Sequence, residues 1–449
     1  MSAIAGIARP GEKTLVAQML DSIGHRGRAG REIVDTAAGT LGVAWTPSQA
    51  GAADVLRNNQ TAADDAGDGH RASVRATDGK LLLTRDPLGV APLYYGRTED
   101  GTLCFASEVK ALLKVTSDAN ELPPGHRYDG TTLESYFRLQ TLPETSDPLE
   151  QVVAQLRARL ETSVRKRISG KIIGSWLSGG LDSSTLAALA RPHVKTLHTF
   201  AAGIPGAPDL DHAREVAEFI KSEHHEAIVN LEEMVAALPR VIFHLESFDA
   251  LLVRSSITNY LVAQLASDYV SDVFSGEAGD ELFAGYAYLK DLDPAKLQEE
   301  LIDITGRLHN TALQRVDRSA SAHGTVAHTA FTDPEVVQYA ITIPAKYKLR
   351  DGVEKWILRR AMDGSLPQRV LNRTKAKFWE GAGVGDLLAA RAEETITDDD
   401  FSRERTLPDG LVINTKEELM YYRIFAEHFG KARDLVWMGR TKGAPKEAQ

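Results

Sequence analysis

Apolar positions along this chain change rhythm, and the change divides it. Beyond about residue 130 they recur at helical spacing through Val152, Val153, Leu156, Leu160 and Val164. They then merge into a continuous run, Lys171 to Leu177, where Ile172, Ile173, Trp176 and Leu177 predict a buried strand. Small helix formers from Thr185 to Ala190 predict the start of a helix. Leu197 to Gly203 predicts another strand, Asp211 to Lys221 an amphipathic helix, Glu226 to Val229 a strand, Leu231 to Glu246 a long helix, and Val273-Phe274 a further strand. Such alternation predicts a parallel α/β sheet, whose ligands lie outside the carboxyl ends of the strands.

Upstream the runs are shorter. Lys80 to Thr84 and Thr102 to Ala106 read as strands separated by turn formers, while Ala50 to Gly69, rich in Ala, Asp, Asn and Gly with little period, reads as loop. Glu121-Leu122-Pro123-Pro124-Gly125-His126 is punctuation that suits a boundary, giving one domain over 1–125 and a second over 130–449. The polar end, Lys442 to Gln449, is expected to be disordered.

Composition narrows the classes. With 449 residues, 43% apolar and 25% charged, the chain has the make-up of an ordinary globular protein of two or three domains. No apolar run approaches the roughly 20 residues of a membrane span, and no basic, then apolar, leader opens the chain, so a cytoplasmic protein without a membrane partner is expected. The single Cys104 excludes an intrachain disulfide and reads as a small buried strand residue. A formal charge of −10 argues against nucleic acid as a partner, and an anionic substrate would need local positive groups or magnesium.

Candidate chemistry concentrates at two turns. Ser178-Gly179-Gly180-Leu181-Asp182-Ser183-Ser184 joins the strand at Lys171–Leu177 to the following helix. Adjacent glycines let backbone approach an anion, the helix N-terminus supplies partial positive charge, the serines add hydroxyls, and Asp182 can hold magnesium against phosphate oxygens. The GxxxxGK[ST] spacing of the Walker loop is absent. The second turn follows Val273-Phe274 and reads Ser275-Gly276-Glu277-Ala278-Gly279-Asp280-Glu281-Leu282-Phe283-Ala284-Gly285-Tyr286. Its carboxylates would repel one another without a cation or protons. An acidic helix N-terminus would account for Asp280 and Glu281 on its own; beside a phosphate loop, a metal role for Asp280 accounts for more.

The SGGxDSS turn resembles the pyrophosphate loop of ATP pyrophosphatases. Together with the second turn, His244-Leu245-Glu246-Ser247-Phe248-Asp249, Val316-Asp317-Arg318-Ser319 and Ala322-His323-Gly324, it resembles the class II asparagine synthetase family. So do Arg85-Asp86-Pro87-Leu88-Gly89, Pro92-Leu93-Tyr94-Tyr95, Phe105-Ala106-Ser107-Glu108-Val109-Lys110 and Leu122-Pro123-Pro124-Gly125. The resemblance implies an N-terminal Ntn-hydrolase-like αββα glutaminase domain and a C-terminal ATP pyrophosphatase-type α/β domain with a parallel sheet. The latter makes an acyl-adenylate that an amine attacks. Carried over by position, it implies that Ser178, Gly179, Gly180, Leu181, Asp182, Ser183 and Ser184 hold the pyrophosphate of ATP, and that Leu177, Ala202, Ser275 and Gly276 line the AMP site. Asp182 and Asp280 would ligate Mg2+, and Glu277 would be the active-site glutamate, with Glu277, Asp280 and Arg254 facing the acid. Lys375 would neutralise charge at the reacting phosphate and tetrahedral centre; Phe378 and Gly381 set the register that favours it over Lys377.

Departures from the family pattern matter as much. Ser2 stands where the family has its nucleophilic cysteine, and a serine hydroxyl is a far weaker nucleophile near neutrality, so glutamine hydrolysis is expected to be lost, with residual amidase activity at Ser2 the alternative. Trp45 stands near an expected arginine, no Asn-Gly-Glu-Ile-Tyr-Asn segment occurs, and the stretch before Arg85 is shortened. The first domain therefore reads as a degenerate, truncated glutaminase kept as a structural partner. In the acid pocket Leu251, followed by Leu252, replaces a threonine, and the segment Gly324 to Asp333 lacks the family's glutamate and arginine, which disfavours aspartate. The expected function is an AMP-forming amide synthetase that joins ammonia or a small amine to a small-molecule carboxylic acid without using glutamine. A β-lactam-synthetase-like intramolecular enzyme, an ammonia-fed asparagine synthetase and an inactive nucleotide-binding scaffold are the alternatives. Glu277, where the β-lactam branch has tyrosine, counts against the first, and the joint presence of Asp182, Asp280, Glu277 and Lys375 against the last. A homodimer is left open.

Overall fold

The computed structural model describes residues 2–65, 69–374, 381–383, 386–430 and 435–442. Its first region is built from β1 (Ala3–Ile7), α1 (Lys13–Ser22), β2 (Gly30–Thr36), β3 (Gly39–Trp45), α2 (Ala52–Asn59), β4 (Thr61–Asp65), β5 (Arg71–Thr77), β6 (Lys80–Arg85), β7 (Tyr94–Arg97), β8 (Leu103–Ala106), α3 (Val109–Leu112), β9 (Asn120–Glu121), β10 (His126–Tyr128) and β11 (Leu133–Ser135). The strands form two antiparallel sheets, ordered β2-β3-β1-β8-β7-β9 and β11-β10-β6-β5-β4. Alternation in β6 shows why they stack: Leu81, Leu83 and Arg85 point inward, and the two leucines join Ile4, Val43 and Phe105 in one core. α1 and α3 pack into a separate core through Val16, Met19, Leu20, Val109 and Leu112, shared with helices of the second region.

Two expectations change here. Ala50 to Gly69 holds a helix and a strand rather than loop alone: α2 buries Ala53 and Leu56, and β4 pairs with β5 from Thr61 to Asp65. Neighbouring sheet, not local propensity, fixes that segment. The strands β10 and β11 lie beyond Gly125 yet extend the second sheet through Arg127 opposite Thr84 and Tyr128 opposite Leu83. A division at Gly125 would cut that sheet, so we propose the boundary within residues 136–148.

The second region carries α4 (Leu149–Lys166), β12 (Ile172–Trp176), α5 (Leu181–Ala190), β13 (Thr196–Gly203), α6 (Pro208–Ile220), β14 (Glu223–Ile228), α7 (Leu231–Leu245), α8 (Ala250–Ser267), β15 (Asp272–Phe274), α9 (Gly279–Phe283), α10 (Pro294–Gly306), α11 (Ala312–Ala322), β16 (Val326–His328), α12 (Pro334–Thr342), α13 (Ala345–Lys348) and α14 (Trp356–Ala361), followed by further helices that include Lys416–Phe429. Its five strands are all parallel, in the order β14-β13-β12-β15-β16. One face is covered by α4, α5, α6, α12 and α14, the other by α8 and α11. Both faces are thus dry, as a parallel sheet requires. Ile172, expected to be buried, is 55% exposed at the start of its strand. Chain order runs from β12 to β13 on one side and later to β15 on the other, which makes the crevice beyond the carboxyl end of β12 a topological switch point.

Candidate active site

β12 ends in the serine-glycine turn. Ser183 Oγ accepts from the Ser178 N–H at 3.2 Å and donates to the Gly180 carbonyl, and Ser178 Oγ accepts from the Gly180 N–H at 3.3 Å. Gly179 has φ +66°, and a Cβ there would sit 2.4 Å from His212 Cβ, so only glycine fits against α6. α5 then presents its first N–H groups at the mouth of the turn, an anion site by geometry. Ser184 Oγ is fully buried and finds no hydrogen-bond partner among the described residues.

The second turn presses against the first. A Cβ on Gly276 would meet Ser183 N at 2.8 Å, and one on Gly279 would meet Asp182 Oδ1 at 2.6 Å. Ala278 (φ 76°) and Ala284 (φ 60°) bracket α9 in the left-handed region, each at a cost of about 1 kcal/mol or more. This bent backbone brings Asp182 and Asp280 to one cation: Lys355 Nζ pairs with Asp182 Oδ2 and lies 2.6 Å from Asp280 Oδ1. Lys355 is 2% exposed, holds φ 53° just ahead of α14, and donates its N–H to the Phe283 carbonyl at 3.1 Å. Nothing local in the sequence marks it, because it stands 173 residues from Asp182.

A recess of about 60 Å3 opens here, lined by Ser178, Gly180, Asp182, Lys355, Arg359 and Arg373. Arg373 donates to the Ser178 carbonyl at 3.3 Å and pairs with Asp209. These cations supply local positive charge in a chain of net charge −10. Two carboxylates converging on one cation also match the donor set magnesium takes when phosphates complete its shell. Lys375, Lys377 and Phe378 lie outside the described residues.

Leu177 leaves β12 with its N–H donated to the Phe200 carbonyl of β13, Ala202 lies near the end of β13, and the Ser275 N–H donates to the His328 carbonyl of β16. Glu277 forms an ion pair with Arg315 at 2.6 Å, and Arg315 also donates to Ser255 Oγ at 2.8 Å. Arg254 is not brought to Glu277. Its guanidinium is taken up by both oxygens of Glu417, itself an acceptor from the Tyr421 hydroxyl, with Asp386 at 3.6 Å. Arg315, not Arg254, is therefore the arginine that meets the candidate glutamate. Glu281 is held in this acidic turn with its carboxyl pushed up to about 7, by burial first and then by the Asp280 charge, and it accepts from the Tyr286 hydroxyl.

At the other end of the chain Ser2 is fully buried. Its N–H donates to Asp64 Oδ1 at 2.8 Å, its hydroxyl lies 3.4 Å from the Ala63 carbonyl, and its carbonyl accepts from Arg26 Nε at 3.1 Å. Burial pushes the Asp64 carboxyl up to about 6, against the pull of Arg26. Cys104, fully buried in β8, has its thiol pushed up to about 12 by burial and makes no candidate nucleophile. A larger cavity of about 270 Å3, lined by apolar side chains such as Leu88, Phe137, Leu142 and Val337, lies away from both turns.

Many of the segments that carry the family resemblance meet in a charged joint instead of in the recess. Arg26, Glu108 and Lys110 of the first region contact Glu246, Asp317 and Arg318 of the second, all buried. Glu246 also accepts the N–H groups of Val109 and Lys110 at the start of α3.

A family model described as asparagine synthase matches residues 155–301 and 290–447, and one described as a glutamine amidotransferase domain matches residues 73–169. A probable glutamine-hydrolyzing asparagine synthetase of Schizosaccharomyces pombe is 35% identical over 411 residues, covering 82% of this chain and 74% of that protein. Glutamine-hydrolyzing asparagine synthetase 2 of Arabidopsis thaliana is 34% identical over 79% of this chain, which spans 66% of its length. Among solved structures, a glutamine-dependent NAD+ synthetase from Acinetobacter baumannii in complex with ADP aligns at 15% identity over 77% of this chain and 61% of that one, with a TM-score of 0.26. No helix among the described residues is long and apolar enough to cross a membrane.

Proposed function

For a chain that belongs to the asparagine synthase family, we propose an ATP-dependent, amide-forming ligase that adenylates a carboxylic acid, releases pyrophosphate and passes the acyl group to ammonia or a small amine without drawing on glutamine. The observation that carries this reading is the convergence of Asp182 and Asp280 beside the serine-glycine turn, at the switch point of the parallel sheet.

The chemistry follows from charge. ATP brings phosphates into a recess whose α5 N–H groups, Lys355, Arg359 and Arg373 offset them. Asp182 and Asp280 would hold magnesium, which when bound draws negative charge off the phosphates and favours pyrophosphate as the leaving group. The acid's carboxylate attacks the α-phosphorus, and pyrophosphate departs along the turn. Glu277, oriented by Arg315, then faces the acyl-adenylate, where it orients the incoming amine and receives its proton. Lys375 is assigned to the negative charge of the tetrahedral centre, whose collapse breaks the acyl–phosphate bond, forms the amide and releases AMP.

Two features support nitrogen from solution. Ser2 is sealed from solvent with its N–H committed to Asp64, and the amidotransferase family match begins at residue 73, well past it. Leu251 and the Arg254–Glu417 pair leave aspartate without the hydroxyl and the free guanidinium it would call on, so another acid is proposed.

Pyrophosphate and AMP release across a panel of acids, with ammonium chloride set against glutamine, tests the proposal. Magnesium- and ATP-dependent release with ammonium, unimproved by glutamine, is expected. Glutamine serving as well as ammonium would overturn the nitrogen assignment, aspartate outperforming every other acid would make this an ammonia-fed asparagine synthetase, and no nucleotide binding at all would leave a scaffold.

A further inference from the structure

We infer that Lys355 is a resident counter-cation: it holds the divalent-ion position while the nucleotide is away, yields it as magnesium enters with ATP, and then turns its ammonium onto the phosphates. The inference rests on the ATP-site reading above. Asp182 comes from the first turn of α5 and Asp280 from the first turn of α9, and both carboxylates are largely out of water. Left without a cation, two such groups would repel strongly at the low effective dielectric of the interior. Lys355 Nζ lies between them.

The carboxylates have little freedom to separate. A Cβ on Gly279 would overlap Asp182, and one on Gly285 would lie 1.9 Å from Asp280 Oδ1 and 2.2 Å from Lys355 Cε. Backbone packing fixes the two acids, whereas lysine's four-carbon stem can swing. Its backbone is also set for this use, because the left-handed φ of 53° is held by the N–H bond to Phe283. An ammonium displaced from the acids remains in the recess with Arg359, Arg373 and Ser178, where a phosphate would sit. The acid pair faces a cation in both states, half neutralised by the lysine and fully by the divalent ion, so metal and nucleotide binding are coupled: magnesium alone must compete with a built-in cation.

Thermal melts of the nucleotide-free protein titrated with magnesium chloride test this. The wild-type protein is expected to show no magnesium-dependent shift until ATP is present. Lys355→Met is expected to melt roughly 5 °C or more lower, through loss of the partner of a buried charge pair, and to regain at least half of that with magnesium alone. The double variant Lys355→Met/Asp280→Asn should recover most of the loss and ignore magnesium. A wild-type shift with magnesium alone as large as that of Lys355→Met, or a folded Lys355→Met blind to magnesium, would overturn the inference. If Lys355→Met does not fold, the other two proteins decide it, a double variant no more stable than the single being the contrary result. None of these measurements involves an acid or an amine, so their failure leaves the ligase proposal standing, and absent pyrophosphate release leaves them untouched.

Discussion

Arg26 and Asp317 stand 291 residues apart in sequence and meet in a two-pronged ion pair, Nη1 to Oδ2 at 2.8 Å and Nη2 to Oδ1 at 2.9 Å, with neither side chain more than 2% exposed. The same guanidinium reaches Asp64 and Glu108, and Arg318 continues the chain of charges to Glu246. The two halves of the molecule are therefore joined by desolvated charges whose partners sit on opposite sides.

Removing Arg26 leaves Asp64, Glu108 and Asp317 buried with one cation fewer among them. Arg26→Ala is expected to lower stability by about 3–5 kcal/mol. Urea unfolding followed by both tryptophan fluorescence and circular dichroism measures it, and the two probes should shift together. A loss under about 1 kcal/mol would mean that the joint is solvated in solution.

The turn glycines make a sharper prediction. Gly279→Ala places a methyl on the Asp182 carboxylate, and ATP affinity measured by calorimetry should fall at least tenfold, a cost of about 1.4 kcal/mol. Gly51, which has open space around it and φ −72°, supplies the control: Gly51→Ala should leave ATP binding unchanged.

Why these turns were readable and Lys355 was not follows from where the information lies. Ser178 to Ser184 combines glycines, hydroxyls and a carboxylate within one strand-to-helix connection, so local spacing states the geometry of the turn and suggests the chemistry proposed for it. The alternation from Lys171 to Glu246 likewise named the parallel sheet. Lys355, Arg359 and Arg315 reach the site only through tertiary packing, and in sequence each is an ordinary cation on or beside a helix. Arg254 likewise pairs with Glu417, 163 residues on, a contact that nothing near either residue in sequence announces. The segment at Ala50–Gly69 hid its helix and strand because a neighbouring sheet, not its own composition, holds them in place.

If the first half has lost amidase chemistry through closure as well as through the serine, restoring the thiol alone will not revive it. Ser2→Cys is expected to release no glutamate from glutamine above background in a coupled glutamate dehydrogenase assay. Turnover by this variant would show that the hydroxyl was the sole defect and that the pocket opens.

A buried lysine away from both sites gives a pH prediction. Lys348 is 1% exposed, donates to Gln298 Oε1 at 3.0 Å, and has its ammonium pushed down to about 7 by burial, from an ordinary value of 10.5. Between those values the unfolded chain binds more protons than the folded one, so this group's contribution to stability rises with pH from about 7 to 10.5 and is lost as pH falls through 7. Lys348→Met should therefore be more stable than wild type at pH 6, by roughly 2–4 kcal/mol, with the gap narrowing by pH 10. Paired denaturation curves at the two pH values measure it, and a constant gap would refute the assignment.

The buried joint has a consequence for how such a molecule can be altered over time. On the proposed reading, a change at Ser2 forfeits a reaction and leaves the architecture intact, whereas deleting the lobe that carries it would take Arg26 from Asp317 and Lys110 from Glu246, leaving Arg318 between two buried carboxylates that have each lost a partner. On that reading a nitrogen supply is given up by a single substitution, while the polypeptide that would have delivered it stays as a wall of the house.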